Sequence, residues 1–249
     1  MPTFPLEHRF TAGLLLLTAS TGVIDADSYL ALDHVFTGNM TGNVLFIGFA
    51  LAGVAGIPFV NNSIALVGFV VGTIVGGRIV GRGHPKTLPR VSAVTLLCGG
   101  ILALALATTW TLLGTLAQPI LLVLTFLLAC VMGSQVSAVR PIGNSDVTTI
   151  VVTNTLANLA RDSRLAGGRF ENWLPRLLAI LAMGVGGAIG ALIIHFSAGY
   201  IALYTAMIFY LAGVLVLILT ARAATTPNPK APLPDPEHPT PDPTVGSPG

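Results

Sequence analysis

Apolar residues run along this chain in long blocks separated by short polar breaks. The pattern is neither the alternation of a half-buried strand nor the narrow stripe of a surface helix. Blocks at Phe10–Tyr29, Asn62–Gly81, Val91–Thr109, Gln118–Ala138, Leu174–His195 and Gly199–Thr220 match the roughly 20 residues that a helix needs to cross a hydrocarbon core. Two further segments do not. Thr41–Ile57 is short and closed by Gly56 and Pro58, and Asp146–Ala160 is short and polar. The pattern therefore predicts an all-α polytopic membrane protein, with six full transmembrane helices and two partial or re-entrant helices.

Composition agrees, with 53% apolar and 9% charged residues where a soluble domain averages about 25% charged. The positions of the cations decide the topology. Basic loops occur at Arg78–Arg90 and Arg161–Arg176, and Arg222 follows the last block. If both short segments crossed fully, with the N-terminus inside, the first basic loop would face outward, against the positive-inside rule. If both re-enter, the N-terminus, both basic loops and Arg222 share the cytoplasmic side. This gives a cytoplasmic N-terminus (1–9), a membrane domain (10–221) in a bacterial inner membrane, and a cytoplasmic tail (222–249). More than half of the 17 prolines lie in that tail, which predicts a solvated or polyproline segment. Trp110, in a break between blocks, suits a membrane interface. No basic cluster with interleaved aromatics is present, so nucleic acid is not an expected partner. Cys98 and Cys130 sit inside apolar blocks and read as small hydrophobes. The five histidines lack ligand spacing, and no nucleophile, metal or phosphate-loop signature occurs. Neither a cofactor nor an enzymatic activity is expected.

Polar residues inside such a chain are costly, and they mark helix contacts or a site. Asp25 and Asp27 end the first block. A doubled tripeptide, Thr37-Gly38-Asn39 and Thr41-Gly42-Asn43, opens the next. One reading is structural: the carboxylates are solvated at the helix end, and Thr, Asn and Gly join helices. In the other, Asn39 or Thr41 caps a half-helix whose N–H groups face a polar cavity, with Asp25 at its mouth. A shift of about 112 residues lays Phe10–Tyr29 on Leu122–Pro141 and Thr41 on Thr153. The same shift lays Asn62–Gly81 on Leu174–Ile193. It predicts an internal duplication with halves at about 10–109 and 122–221, inverted if each contributes three spans. In the second half, Thr149, Thr153, Asn154 and Asn158 are the corresponding polar residues, and the two polar elements are expected to meet near midplane. Gly68, Gly72 and Gly76 form a small-residue face that predicts a homodimer contact.

These residues resemble the signature of the YoaK-like family of bacterial inner-membrane proteins, a domain of unknown function. The likeness rests on Gly22, Asp25-Ala26, Phe36 and Thr41-Gly42-Asn43. It continues in a second half bearing Gly133, Gln135, Arg140, Thr149, Thr153 and Thr155. The chain departs at Val136, where an Asn is usual, and at Asn154, where a Gly is usual. The resemblance spans about 10–220 and implies a fold-level relationship without an established activity.

The expected function is a transporter or channel for a small solute, coupled to protons or sodium. Its binding residues would be Asp25, Asp27, Thr37, Asn39, Thr41, Asn43, Gln135, Thr149, Thr153, Asn154 and Asn158. The alternative is a non-transporting membrane scaffold or assembly factor, and a membrane-embedded enzyme ranks last. The lipid bilayer is the one partner that composition alone requires.

Overall fold

The computed structural model describes residues 5–84, 86–144, 152–169 and 172–225. They form α1 (Leu6–Ala31), α2 (Met40–Leu51), α3 (Phe59–Val80), α4 (Arg90–Leu113), α5 (Gln118–Val139), α6 (Val152–Arg161), α7 (Trp173–Phe196) and α8 (Gly199–Thr225). Two single 3-10 turns, at Arg140–Ile142 and Arg164–Ala166, complete the described structure, which contains no strand. Proline opens helices and glycine closes them. Pro5, Pro58 and Pro89 precede α1, α3 and α4, and Pro119 lies in the first turn of α5, where no N–H is missed. Gly81 and Gly114 end α3 and α4 with φ of 74° and 67°, a conformation that any Cβ would strain.

Five helices, α3, α4, α5, α7 and α8, are long and apolar enough to span a bilayer. At 26 residues α1 is equally long, but it carries Glu7, Arg9, Asp25 and Asp27. The short helix α2 cannot cross, since its 12 residues make about 18 Å of helix against roughly 30 Å of hydrocarbon, and the described part of α6 has 10 residues, or about 15 Å. Large side chains such as Val67, Val70, Ile74, Leu181 and Val185 are exposed, whereas Gly68, Gly72, Gly76, Gly186 and Gly190 are buried. That arrangement suits a bundle whose solvent is lipid and whose contacts rest on close packing.

Specific contacts fix the helix directions. Gly68 lies on Phe126, Gly72 on Cys130 and Gly76 on Ser134, so α3 and α5 run parallel. In the same way Gly186 lies on Ala19 and Gly190 on Val23, which makes α7 parallel to α1. Each pair is completed from the other side, by Gly133 of α5 against Phe69 and Thr73, and by Gly22 of α1 against Met183 and Gly187. The glycine face of α3, expected to join two copies of the protein, is therefore filled by α5. Ser20 donates a 2.9 Å hydrogen bond to the Ala206 carbonyl while Gly13 meets Leu217, so α8 is antiparallel to α1. Tyr210 donates to the Leu96 carbonyl at 3.0 Å, and the Tyr204 and Thr108 hydroxyls meet at 3.0 Å, so α4 opposes α8. The Gln135 amide reaches the Thr21 hydroxyl at 3.4 Å and the Asn144 amide reaches the Thr11 hydroxyl at 3.3 Å, so α5 opposes α1.

α1, α4 and α7 thus run one way, and α3, α5 and α8 run the other. The Asn61 amide donates to the Leu32 carbonyl at 2.7 Å, which puts the start of α3 level with the end of α1. The segment between them, including α2, returns to the side it left. At the opposite end, α5 finishes beside the start of α1 and α7 begins there, so α6 makes no crossing either. Every Lys and Arg among the described residues lies at this second end. Trp110, near the end of α4, is buried, its ring packing against Gly199 at the start of α8.

Candidate functional site

Leu32 leaves α1 and the chain turns sharply, with Asp33 and His34 both at positive φ (66° and 55°). It then runs back along α1. Phe36 stacks on Tyr29 with ring centroids 5.0 Å apart, the Thr37 hydroxyl lies 3.1 Å from that of Ser28, and the Gly38 N–H donates to Asp25 Oδ1 at 2.7 Å. Each step is deeper along α1 than the one before. Asp25 lies six residues before Ala31, so the loop descends about 9 Å below the end of α1. Gly38 suits the tight space at the bottom, since a Cβ there would lie 3.1 Å from both carboxylate oxygens and 3.2 Å from Thr21 Cγ2, and these side chains would have to give by a few tenths of an ångström.

From that depth α2 climbs back out. Asn39 is its N-cap and accepts from the Gly42 N–H at 3.3 Å. Asn43, one turn on, holds the descending strand to the ascending helix. Its Oδ1 accepts from the Phe36 N–H at 3.0 Å and its amide donates to the Phe36 carbonyl at 2.6 Å, the pairing a neighbouring strand would supply. Phe46 then stacks near both Tyr29 and Phe36, with 6.2 Å between centroids in each case, closing an aromatic layer above the carboxylate. This is a hairpin that carries a helix N-terminus to a buried acid.

The cluster is enclosed. Asp25 is 5% exposed, Thr37 and Asn43 are 0%, and Gln135 is 1%. Gln135 reaches it from α5 through Thr21, which lies one turn below Asp25 on the same helix. Asp25 Oδ2 and Gln135 Oε1 are buried without a hydrogen-bond partner. Each is a buried open acceptor, which a proton or a small cation would satisfy.

The remaining expected residues are placed elsewhere. Asp27 shares no surface with Asp25, because residues two apart on a helix point to nearly opposite sides. It faces Gly199 at the start of α8, is 0% exposed, and both its oxygens lack a partner. Thr41 is exposed, as are Thr153 and Asn154 on α6. Asn158 is half-buried, and its carbonyl accepts from Arg176 at 3.2 Å. Arg176 also pairs with Asp162 at 2.7 Å, which ties α6 to the start of α7. Hydrogen bonds from Arg161, then from Arg176, hold the Asp162 carboxyl below its ordinary value. Among the described residues, Thr153, Asn154 and Asn158 therefore take no part in the Asp25 cluster. Thr149 lies outside the described residues. Among the residues the sequence reading passed over, Thr21, Ser28 and Asn61 complete the hairpin's anchorage. Thr21 and Ser28 flank Asp25 at helical spacing, which is the signal that would have found them.

The family described as "Protein of unknown function (DUF1275)" matches residues 13–217, most of the chain and all of this arrangement. The chain belongs to that family. A DUF1275-type relative, the "UPF0700 transmembrane protein YoaK" of Bacillus subtilis (strain 168), is 30% identical over 188 residues, covering 72% of this chain and 81% of that protein. The likeness to YoaK read from Gly22, Asp25-Ala26, Phe36 and Thr41-Gly42-Asn43 therefore holds, and this DUF1275 chain is a transmembrane helical protein. No solved structure matches it.

Proposed function

We propose that this protein is a transporter of a small solute, coupled to protons or sodium through Asp25, in a bacterial inner membrane. The observation that carries the reading is the re-entrant hairpin 32–51, which brings the N-terminus of α2 down to a buried carboxylate with an open oxygen. Broken or half-helices whose termini meet a polar site inside the membrane are how many secondary transporters bind ions and substrates.

Three further features support it. α1, the hairpin helix α2, α3 and α4 correspond in order to α5, α6, α7 and α8, and the equivalent helices α1 and α5 run in opposite directions. Glycines interlock α3 with α5 and α7 with α1 at corresponding places. On this reading the chain is an inverted duplication with six full spans, the sixth being α1, whose Asp25 and Asp27 face the interior. The collection of Lys and Arg at one end supports reading that end, where α1 begins and α8 finishes, as cytoplasmic.

In the mechanism, Asp25 Oδ1 stays bonded to Gly38 while Oδ2, with Gln135 and Thr21 beneath it, accepts the proton or ion. Filling that oxygen removes the uncompensated charge and lets the hairpin shift against α1, opening the cluster to one side at a time. A scaffold role is the second reading, favoured by the closure of the cluster around its own hydrogen bonds. The test is a solute screen in proteoliposomes under an imposed proton or sodium gradient, wild type beside Asp25→Asn. Gradient-driven uptake that the variant lacks supports transport. Equal flux from both, for a solute the wild type carries, removes Asp25 from the mechanism.

A further inference from the structure

At the cytoplasmic end as assigned above, α6, the turn Arg164–Ala166 and the start of α7 enclose a groove of about 610 Å³. Its walls are apolar: Leu156, Leu159 and Ala160 from α6, Leu165 from the turn, and Trp173 and Leu177 from α7. Leu165 is fully exposed, Leu156 about half, and Trp173 39%. Such side chains are out of place in water but suited to the boundary between headgroups and acyl chains, where tryptophan collects. The lip of the groove is basic. Arg161 has 73% of its side chain exposed, and Arg164 is exposed beside Ser163, whose residue lines the same space. Among the described residues the nearby acid is Asp162, engaged by Arg161 and Arg176. Along the sequence from 161 to 176, Arg161, Arg164, Arg169 and Arg176 outnumber Asp162 and Glu171, so the local balance is positive. An apolar slot opening sideways at headgroup depth under a cationic lip matches one kind of molecule in shape and in charge.

We propose that this groove is a binding site for an anionic phospholipid, with an acyl chain along Leu156, Leu159 and Leu177 and the phosphate against Arg161 and Arg164. A free phosphate would leave the apolar walls in water, and a zwitterionic lipid would not use the excess positive charge. Because α6 is the second-half counterpart of α2, a lipid held there would set how firmly α6 is docked on α7.

The test uses the full chain in detergent, with native mass spectrometry and thermal unfolding read on addition of phosphatidylglycerol or of phosphatidylcholine with the same acyl chains. Phosphatidylglycerol should bind the wild type and raise its unfolding temperature well above the effect of phosphatidylcholine. Arg161→Gln with Arg164→Gln should weaken that binding roughly 30-fold, about fivefold per arginine. Arg161→Lys with Arg164→Lys should keep it within a fewfold, which separates loss of charge from loss of fold. Equal binding of both lipids would overturn the proposal, as would wild-type affinity in the Gln pair. The same holds if inorganic phosphate gives the full thermal shift, or if the groove proves to be covered by a second copy of the chain.

Discussion

Gly72→Ala is the smallest change that strikes at the packing of this bundle. A Cβ on Gly72 would run into the Cys130 carbonyl oxygen and would lie 2.7 Å from both Cα and the carbonyl carbon of Cys130, where ordinary contact begins at 3.4 Å. The shortfall is at least 0.7 Å, and the obstacle is backbone, which no rotamer change relieves. α3 and α5 must therefore part by at least that much. A gap of 0.5–1 Å forfeits about a quarter to a half of each van der Waals well along the seam, and in lipid no hydrophobic gain between helices offsets it. Overpacking of this kind costs about 1–3 kcal/mol. Gly184→Ala is the control, since a Cβ there meets nothing within 4 Å and α7 gains up to about 1 kcal/mol in helix propensity. The two alanines should thus act with opposite sign. Reversible unfolding in mixed micelles, followed by far-UV circular dichroism, gives the difference directly. A Gly72→Ala protein as stable as wild type would refute the close approach of α3 and α5.

Asn43→Ala should leave the Phe36 N–H and carbonyl buried without partners, at about 1–3 kcal/mol, with the loss seen in thermal unfolding and in faster thiol labelling of a cysteine at position 37. Asp25→Asn keeps an oxygen for the Gly38 N–H and should insert and fold like wild type, whereas Asp25→Ala orphans that donor and should also lose about 1–3 kcal/mol by the same unfolding assay. The Asp162–Arg176 contact should be insensitive to pH from neutrality down to the ordinary carboxylate value of 3.8. A lowered folded pKa means that the stabilisation is complete above that value and is lost only as pH falls further. Limited proteolysis at the Arg161–Arg164 turn across a pH series checks this.

Much of this architecture was legible in the chain, because long apolar blocks bounded by proline and glycine leave helices few other ends. Asn62–Gly81 became Phe59–Val80, and Gln118–Ala138 became Gln118–Val139. Thr41–Ile57 could be judged too short because helix rise fixes reach, and the cation positions then required the chain to turn back. The partner of each glycine face was not legible. Spacing of four marks a face for close approach but does not say whether it meets another copy or a helix of the same chain, as Gly72 meets Cys130. Asp25 and Asp27 were expected in one binding set, yet residues two apart on a helix point to nearly opposite sides. The depth of Gly38 beside Asp25 depends on two left-handed residues, Asp33 and His34, whose side chains carry no strong signal for that conformation.

The central claim is that the cluster at Asp25 opens alternately to the two faces of the membrane. Single cysteines at Thr21, Thr37 and Gln135, in a background lacking Cys98 and Cys130, test it without knowledge of the solute. All three positions are closed to solvent in this structure or nearly so. Membrane-impermeant thiol reagents added from one side, and in separate samples from the other, should label each position slowly from both, with rates that respond to a proton or sodium gradient. Complete protection from both sides, at every gradient, in proteins that fold and insert normally would contradict the account and leave a scaffold.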